Sequence, residues 1–303
     1  MGGVPEHITS NPQLAEAIAI LPPHNFEIYK TLHRIETLSA ELAKPKLKVS
    51  LQFPEGLMLF ACVISDILGE FGGVETVIMG DVTYGACCVD DLASSQMDCD
   101  LLVHYGHSCL VPITDTLRKV LYVFVEIQID MDHFAESISL SLPHLRDKTV
   151  HLMGTIQFNN SLFLAKQLLT EKKGLNHVLI PQEKPRSSGE VLGCTSPRLT
   201  QGDANVVIFL CDGRFHMEAV MIANPELTFY QYDPYSRELT EEKYATQTML
   251  ERRGSELARA ASGQLKRVCF IFGALGRQGN TGILDRLIKK VEGVFDYMVM
   301  IAS

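Results

Sequence analysis

The sequence predicts an α/β fold built from three homologous parallel-sheet units, the third incomplete, behind a helical N-terminal extension. Three observations carry this. A short apolar strand, a polar or glycine turn and an apolar helix follow one another three times along the 303 residues. The strands are compact runs bounded by Gly, Pro and Asp, as buried parallel strands are. Further such runs fall between the repeats, so each of the first two units of about 100 residues has the strands for its own sheet, while the third has one strand, one helix and an apolar run over Val294 to Ala302.

The first repeat is Lys48 to Phe53, then Pro54-Glu55-Gly56, then the helix LMLFACVISDIL. The second is Thr149 to Met153, then Gly154-Thr155, then NSLFLAKQLL. The third is Arg267 to Phe272, then Gly273-Ala274-Leu275-Gly276-Arg277-Gln278-Gly279, then ILDRLIKKV. Additional strands are expected at 76–82, 101–106 and 121–127, and at 176–181, 204–213 and 228–234. The stretch from Glu238 to Gln264 is polar and reads as a linking helix. Asn11 is a cap with Pro12 at the first helical position, and a second helix runs over roughly 25–43. The domains expected are 1–45 (helical extension), 46–145, 146–240 and 241–303.

Composition narrows the function. A formal charge of -9 disfavours wrapping a nucleic-acid backbone. No apolar run has the length of a membrane helix, and the first residues lack a secretory pattern. Gly2 does not start a myristoylation motif, because Glu6 stands where Ser or Thr is needed. Eight cysteines without an export signal imply a reducing compartment, and no CxxC pair occurs.

Two cysteines are singled out by position. Cys87 lies in a small-residue turn after a strand, and Cys194 lies in a Gly- and Pro-bounded loop. Loops at strand ends are where open α/β sheets place ligands. The alternative for each is a buried structural thiol. Their similar depth in two repeats points to one metal site shared by three units around a central cleft, and thiolates hold iron–sulfur clusters. Cys62, Cys211 and Cys269 read as core thiols on a helix face and in strands, and Cys88 ranks behind Cys87. His104, His107 and Cys109 form a rival zinc-type set. The turn Gly273, Gly276, Arg277, Gln278, Gly279 is either a plain connection or an anion cradle at a helix start. The loops DGRFH (212–216) and YDPYSR (232–237) are polar and explicable as turn chemistry.

Several segments carry a family resemblance: PEGLMLFAC (54–62), GDVTYGACCVDD (80–91), VHYGHSCL (103–110), GTIQF (154–158), VLGCTSPRL (191–199), DGRFHMEAVMIANP (212–225), YDPYSR (232–237) and GALGRQGN (273–280). Together they resemble the first subunit type of the eukaryotic 2-(3-amino-3-carboxypropyl)histidine synthases. The resemblance implies that Cys87 and Cys194 ligate one [4Fe-4S] cluster and that S-adenosylmethionine binds its open iron. It implies transfer of a 3-amino-3-carboxypropyl radical to the imidazole C2 of a histidine in translation elongation factor 2, the first step of diphthamide formation. It implies a cytoplasmic heterodimer with a second subunit, an electron-donating small iron protein, and neither nucleic acid nor membrane as partner. The family's third ligand would fall beyond Ser303, so the sequence reads as an unfinished chain. The alternatives are a non-catalytic partner or fragment without a stable cluster, or an unrelated nucleotide-binding enzyme with core cysteines.

Overall fold

The computed structural model describes residues 3–22, 24–80, 88–106, 113–184, 186–193, 195–199, 206–263, 266–274 and 279–302. The chain divides into two compact units, 1–22 with 26–124 and 251–303, and 23–25 with 125–250.

In the first unit, α1 (Glu6–Thr9), α2 (Pro12–Ile18) and α3 (Ile28–Leu42) precede the sheet. The Asn11 side chain accepts from the N–H of Gln13 and Leu14, with Pro12 behind it, as the cap pattern predicts. The sheet contains β2 (Lys48–Gln52), β3 (Glu75–Met79), β4 (Leu101–Tyr105) and β5 (Lys119–Val123), all parallel, in the order β3-β2-β4-β5. Every residue of β4 is buried, the signature of a strand covered on both faces. Between the strands run α4 (Ala61–Gly72) and α5 (Asp91–Gln96). The expected turn at Pro54-Glu55-Gly56 is the start of a 3-10 helix, Glu55–Phe60, that leads directly into α4.

The second unit opens with a two-stranded antiparallel ribbon of β1 (His24–Asn25) and β6 (Glu126–Ile127). The single strand expected over 121–127 is therefore broken: β5 ends at Val123, and β6 pairs elsewhere. Its main sheet holds β7 (Thr149–Gly154), β8 (His177–Leu179), β9 (Val206–Leu210), β10 (Thr228–Asp233) and β11 (Glu238–Glu242), in the order β11-β10-β9-β7-β8. Helices α6 (Met131–Ser141) and α7 (Asn159–Glu171) cover one face, where Phe134, Ile138, Leu162 and Leu169 meet Val150, Leu152 and Ile208. Helix α8 (Phe215–Ala223) covers the other, where Met217 and Val220 meet Met153, Val207 and Phe209. Burying one such side chain contributes about 1.5–3 kcal/mol, so these layers hold the sheet ends in place.

The reading of Glu238 to Gln264 as one helix is corrected. Its first residues form β11, antiparallel to β10, and the helix α9 is Thr246–Ala261. The ELTEE strand is an exposed edge, so it lacks the apolar run that marks interior strands. After α9 come β12 (Arg267–Gly273), α10 (Thr281–Val291) and β13 (Asp296–Ala302), a parallel β-α-β arrangement. Its apolar side chains stay exposed, Ile271 at 72% and Ile301 at 69%. The core reading of Cys269 is therefore corrected: a two-stranded layer covers neither of its faces, and this thiol is exposed. Cys62 is corrected too, because α4 turns that position outward while Ala61 and Ile64 face the core.

Both main sheets have a topological switch point. The chain moves from β2 out to β3 and then to β4 on the other side of β2; likewise from β7 to β8 and then to β9. Ligand crevices of open α/β sheets lie beyond the strand C-termini at such points.

Candidate functional site

At the switch point of the first unit, Gln52 ends β2 beside His104 of β4. Both are buried. Gln52 Oε1 accepts from the Asp90 N–H at 3.2 Å and from His104 Nδ1 at 2.9 Å. Gln52 Nε2 donates to the Cys88 carbonyl at 3.2 Å. Asp90 then caps α5, its carboxylate accepting the Ala93 N–H at 2.9 Å. Asp91 accepts the Leu117 N–H. Residues 88–91 are thus tied to the sheet at several points immediately after Cys87. Next along β4, the buried Tyr105 ring stacks on Phe53 with centroids 4.4 Å apart. The Tyr105 hydroxyl has no hydrogen-bond partner among the described residues, and burial raises its pKa.

At the switch point of the second unit, backbone does the tying. Gly154 N–H donates to the Gly189 carbonyl at 2.9 Å, and Val191 N–H donates to the Gly154 carbonyl at 3.1 Å. Gly189 takes φ of +82°, where a Cβ would also meet the Leu162 side chain at 2.5 Å. The segment leading to Cys194 is therefore fastened to the end of β7. Leu192 and Thr195 bridge on either side of that cysteine. Thr155 Oγ1, buried just past β7, and Thr195 Oγ1 have no partner among the described residues.

Cys87 and Cys194 themselves lie outside the described residues, as do His107 and Cys109 of the rival zinc set. His104, the third member of that set, points its Nδ1 at Gln52. Among the described residues no group of three or more His, Cys, Asp or Glu could hold a metal ion. Cys88 and Cys99 are buried. Cys211 is buried beyond β9, its Sγ 2.8 Å from the Gly213 carbonyl, and burial pushes its thiol up to about 12.

Gly273 ends β12, and a Cβ on Gly279 would stand 2.5 Å from the Gly273 carbonyl, so Gly279 lies close against the end of that strand. Gly276, Arg277 and Gln278 lie outside the described residues. Asn280 caps α10, its side chain accepting the Ile283 N–H at 3.1 Å. The two polar loops of the second unit behave as turns. Arg214 pairs with Glu218 and Glu242, and Asp233 Oδ1 accepts the Tyr235 N–H at 2.8 Å. Burial lowers the pKa of His216, opposed by Asp212. The sequence reading did not foresee Gln52; the signal available was a polar residue at the end of an otherwise apolar strand.

Comparison with known proteins decides the family. The model of the diphthamide synthesis proteins matches residues 53–303. The chain belongs to that family. It is 48% identical over 289 residues to a Schizosaccharomyces pombe protein named 2-(3-amino-3-carboxypropyl)histidine synthase subunit 1, covering 94% of this chain and 64% of that one. The human protein of the same name is 48% identical over 294 residues, covering 96% and 64%. The Nematostella vectensis protein of that name is 48% identical over 302 residues, covering 99% and 61%. The chain thus spans a little over three fifths of the length of these relatives. Among solved structures, Dph2 from Pyrococcus horikoshii matches with a TM-score of 0.69, and Dph2 from that organism with a 4Fe-4S cluster with 0.70. Each is 22% identical and covers 88% of this chain and 76% of the other, a likeness of α/β fold.

Proposed function

We propose that this diphthamide-synthesis chain is the cluster-bearing part of a first-subunit-type synthase, with Cys87 and Cys194 as thiolate ligands of a [4Fe-4S] cluster. One observation supports this most. In each unit the chain beside the cysteine is fastened to the C-terminal end of the strand at the switch point, by Gln52 in one and Gly154 in the other. The donor set fits: thiolates on loops suit iron–sulfur ligation, whereas Cys88, Cys99 and Cys211 are buried. The buried oxygens of Tyr105 at the end of β4 and of Thr155 just past β7 have no partner among the described residues, and a ligand there would satisfy them.

The proposed co-substrate is S-adenosylmethionine, and the proposed acceptor is a histidine C2 carbon of translation elongation factor 2. When bound, the cluster supplies one-electron cleavage of S-adenosylmethionine, chemistry that no side chain performs. The protein's own residues hold the thiolates, exclude water and orient the substrate. Gly273, Gly276, Arg277, Gln278 and Gly279 are proposed to bind an anionic substrate group. The proposal includes a second subunit, a small iron-containing electron donor and a cytoplasmic location. It reads the chain as four stretches, 1–45, 46–145, 146–240 and 241–303. Among the described residues no helix is long and apolar enough to cross a membrane.

The test is anaerobic reconstitution of a first-subunit protein of the relatives' full length that carries this sequence, with its second subunit, reductant, S-adenosylmethionine and elongation factor 2. The expected products are methylthioadenosine and an aminocarboxypropyl mass increment on one histidine, both lost in Cys87→Ser and Cys194→Ser. Methyl transfer in place of that increment would overturn the assignment.

A further inference from the structure

The turns after β9 and β10 leave the second sheet side by side. Leu210 pairs with Tyr232, and the Cys211 N–H donates to the Tyr232 carbonyl at 3.2 Å. Each turn lifts one aromatic ring into solvent: Phe215 is 70% exposed and Tyr235 61%. Both rings are propped from behind. The Phe215 ring rests on Gly193, where a Cβ would stand 2.1 Å from it. The Tyr235 ring meets the buried Phe158 edge to face, with centroids 6.5 Å apart. Both turns are also clamped from within. The Arg214 guanidinium pairs with Glu218 and Glu242 and donates to the Lys243 carbonyl at 3.1 Å. Asp233 Oδ1 accepts the N–H groups of Tyr235 at 2.8 Å and Ser236 at 3.4 Å. Side chains presented by fixed turns lose little freedom on binding.

The charge beside the rings is negative and uncompensated. Asp212 is exposed, Asp233 is half-buried, and neither forms an ion pair among the described residues. Glu218 and Glu242 share the one guanidinium of Arg214. Burial lowers the pKa of His216, so this ring brings no cation at neutral pH. Burial raises the pKa of Tyr235, and Asp212 and Asp233 add to that, so both carboxylates lie within electrostatic reach of its ring. Carboxylates next to open aromatic faces match one side chain above the others. Arginine stacks its planar guanidinium on a ring, within about 6 Å of the centroid, and forks onto carboxylates at its edge. A small-molecule site encloses most of its ligand, which rings this exposed do not. The cation therefore arrives on the surface of another protein.

We infer that the turns 211–216 and 232–236 form a docking surface for an arginine-bearing segment of a protein partner, with Phe215 and Tyr235 as platforms and Asp212 and Asp233 as counter-charges. The surface needs no iron, so it stands or falls apart from the cluster reading. The test uses iron-free protein of the relatives' full length that carries this sequence. The probe is an oligo-arginine peptide, and an oligo-glutamate peptide of equal length is the control. Fluorescence anisotropy measures affinity, and a benzophenone on the probe followed by peptide mass spectrometry locates it. The arginine peptide is expected to bind, more weakly as salt is added, and to cross-link within the two turns, while the glutamate peptide does not bind. Phe215→Ala, Tyr235→Ala and Asp212→Asn are each expected to weaken binding about two- to fivefold, whereas Phe215→Trp retains it. Gly193→Ala pushes the Phe215 ring off its seat at little cost in stability and is expected to weaken binding as Phe215→Ala does. Cross-links elsewhere on the parent, equal binding of the glutamate peptide, or undiminished affinity in folded Phe215→Ala and Asp212→Asn overturns the inference. Displacement of the probe by S-adenosylmethionine also overturns it, because the surface then takes that small sulfonium cation and not a protein. If a variant fails to fold, the cross-link map and salt dependence of the parent decide.

Discussion

A Cβ on Gly154 would stand 2.6 Å from the carbonyl oxygen of Leu210. The strands β7 and β9 meet there at the switch point of the second sheet, and Thr155 N–H donates to the same carbonyl at 3.3 Å. The obstructing atom is backbone at the last pair of a parallel ladder, so it cannot step aside without breaking that pairing. Gly154→Ala is expected to destabilise the unit by about 2–3 kcal/mol. At Gly193 the built Cβ falls 2.1 Å from the Phe215 ring, but that ring is 70% exposed and can rotate away. Gly193→Ala is expected to cost about 1 kcal/mol or less. Urea midpoints of the two variants check the order; equal losses would contradict it.

The Asp100 carboxylate gives a pH signature. Burial alone would raise its pKa, but the Lys44 ammonium at 2.7 Å and the Lys48 N–H at 2.8 Å outweigh that and hold it below the usual carboxylate range. The folded carboxyl thus ionises at lower pH than the unfolded one. Its contribution is complete above the ordinary value of about 4 and is lost as pH falls through the folded value. Asp100→Asn is expected to cost about 1–2 kcal/mol at pH 7. The gap to the parent should close as the medium is acidified, read as the difference in urea midpoints; a gap that widens in acid would refute the sign.

How much could be read beforehand depended on what each residue type reveals alone. VVIFL in β9 and LLVHY in β4 were legible because strands buried on both faces are nearly continuous apolar runs. The ELTEE strand was not, because an exposed antiparallel edge has the composition of a helix surface. Cys62 and Cys269 looked interior because an apolar neighbourhood in sequence does not say which side another layer covers. The glycine-bounded cysteines stood out, since loops at strand ends are recognisable. The role of Gln52 did not, because it depends on a residue of β4 and on a loop far away in sequence.

Those cysteine exposures lead to a labelling prediction. In the native chain, Cys62 and Cys269 are expected to react with a thiol reagent first, while Cys88, Cys99 and Cys211 wait for unfolding. Cys211 has a second reason to resist, because burial pushes its thiol up to about 12 and leaves almost no thiolate near neutral pH. Time-resolved peptide mass spectrometry checks the order. Early modification of Cys211 would mean that the end of β9 opens readily.

Tyr105 carries the last prediction. Its hydroxyl is buried and unpartnered among the described residues, while its ring is held between Phe53 at 4.4 Å and Phe26 at 6.5 Å. A buried hydroxyl without a partner keeps its desolvation cost, and removing it leaves the ring packing intact. Tyr105→Phe is therefore expected to raise the stability of the ligand-free chain by about 1 kcal/mol. A protein retains such a group when a ligand satisfies it, and this one lies at the end of β4 beside the switch point. The same substitution is thus expected to weaken S-adenosylmethionine binding in the reconstituted enzyme, a gain in urea midpoint paired with a loss in affinity by calorimetry. If the variant is less stable than the parent without ligand, the hydroxyl has a partner in solution and its proposed role in binding falls with that result.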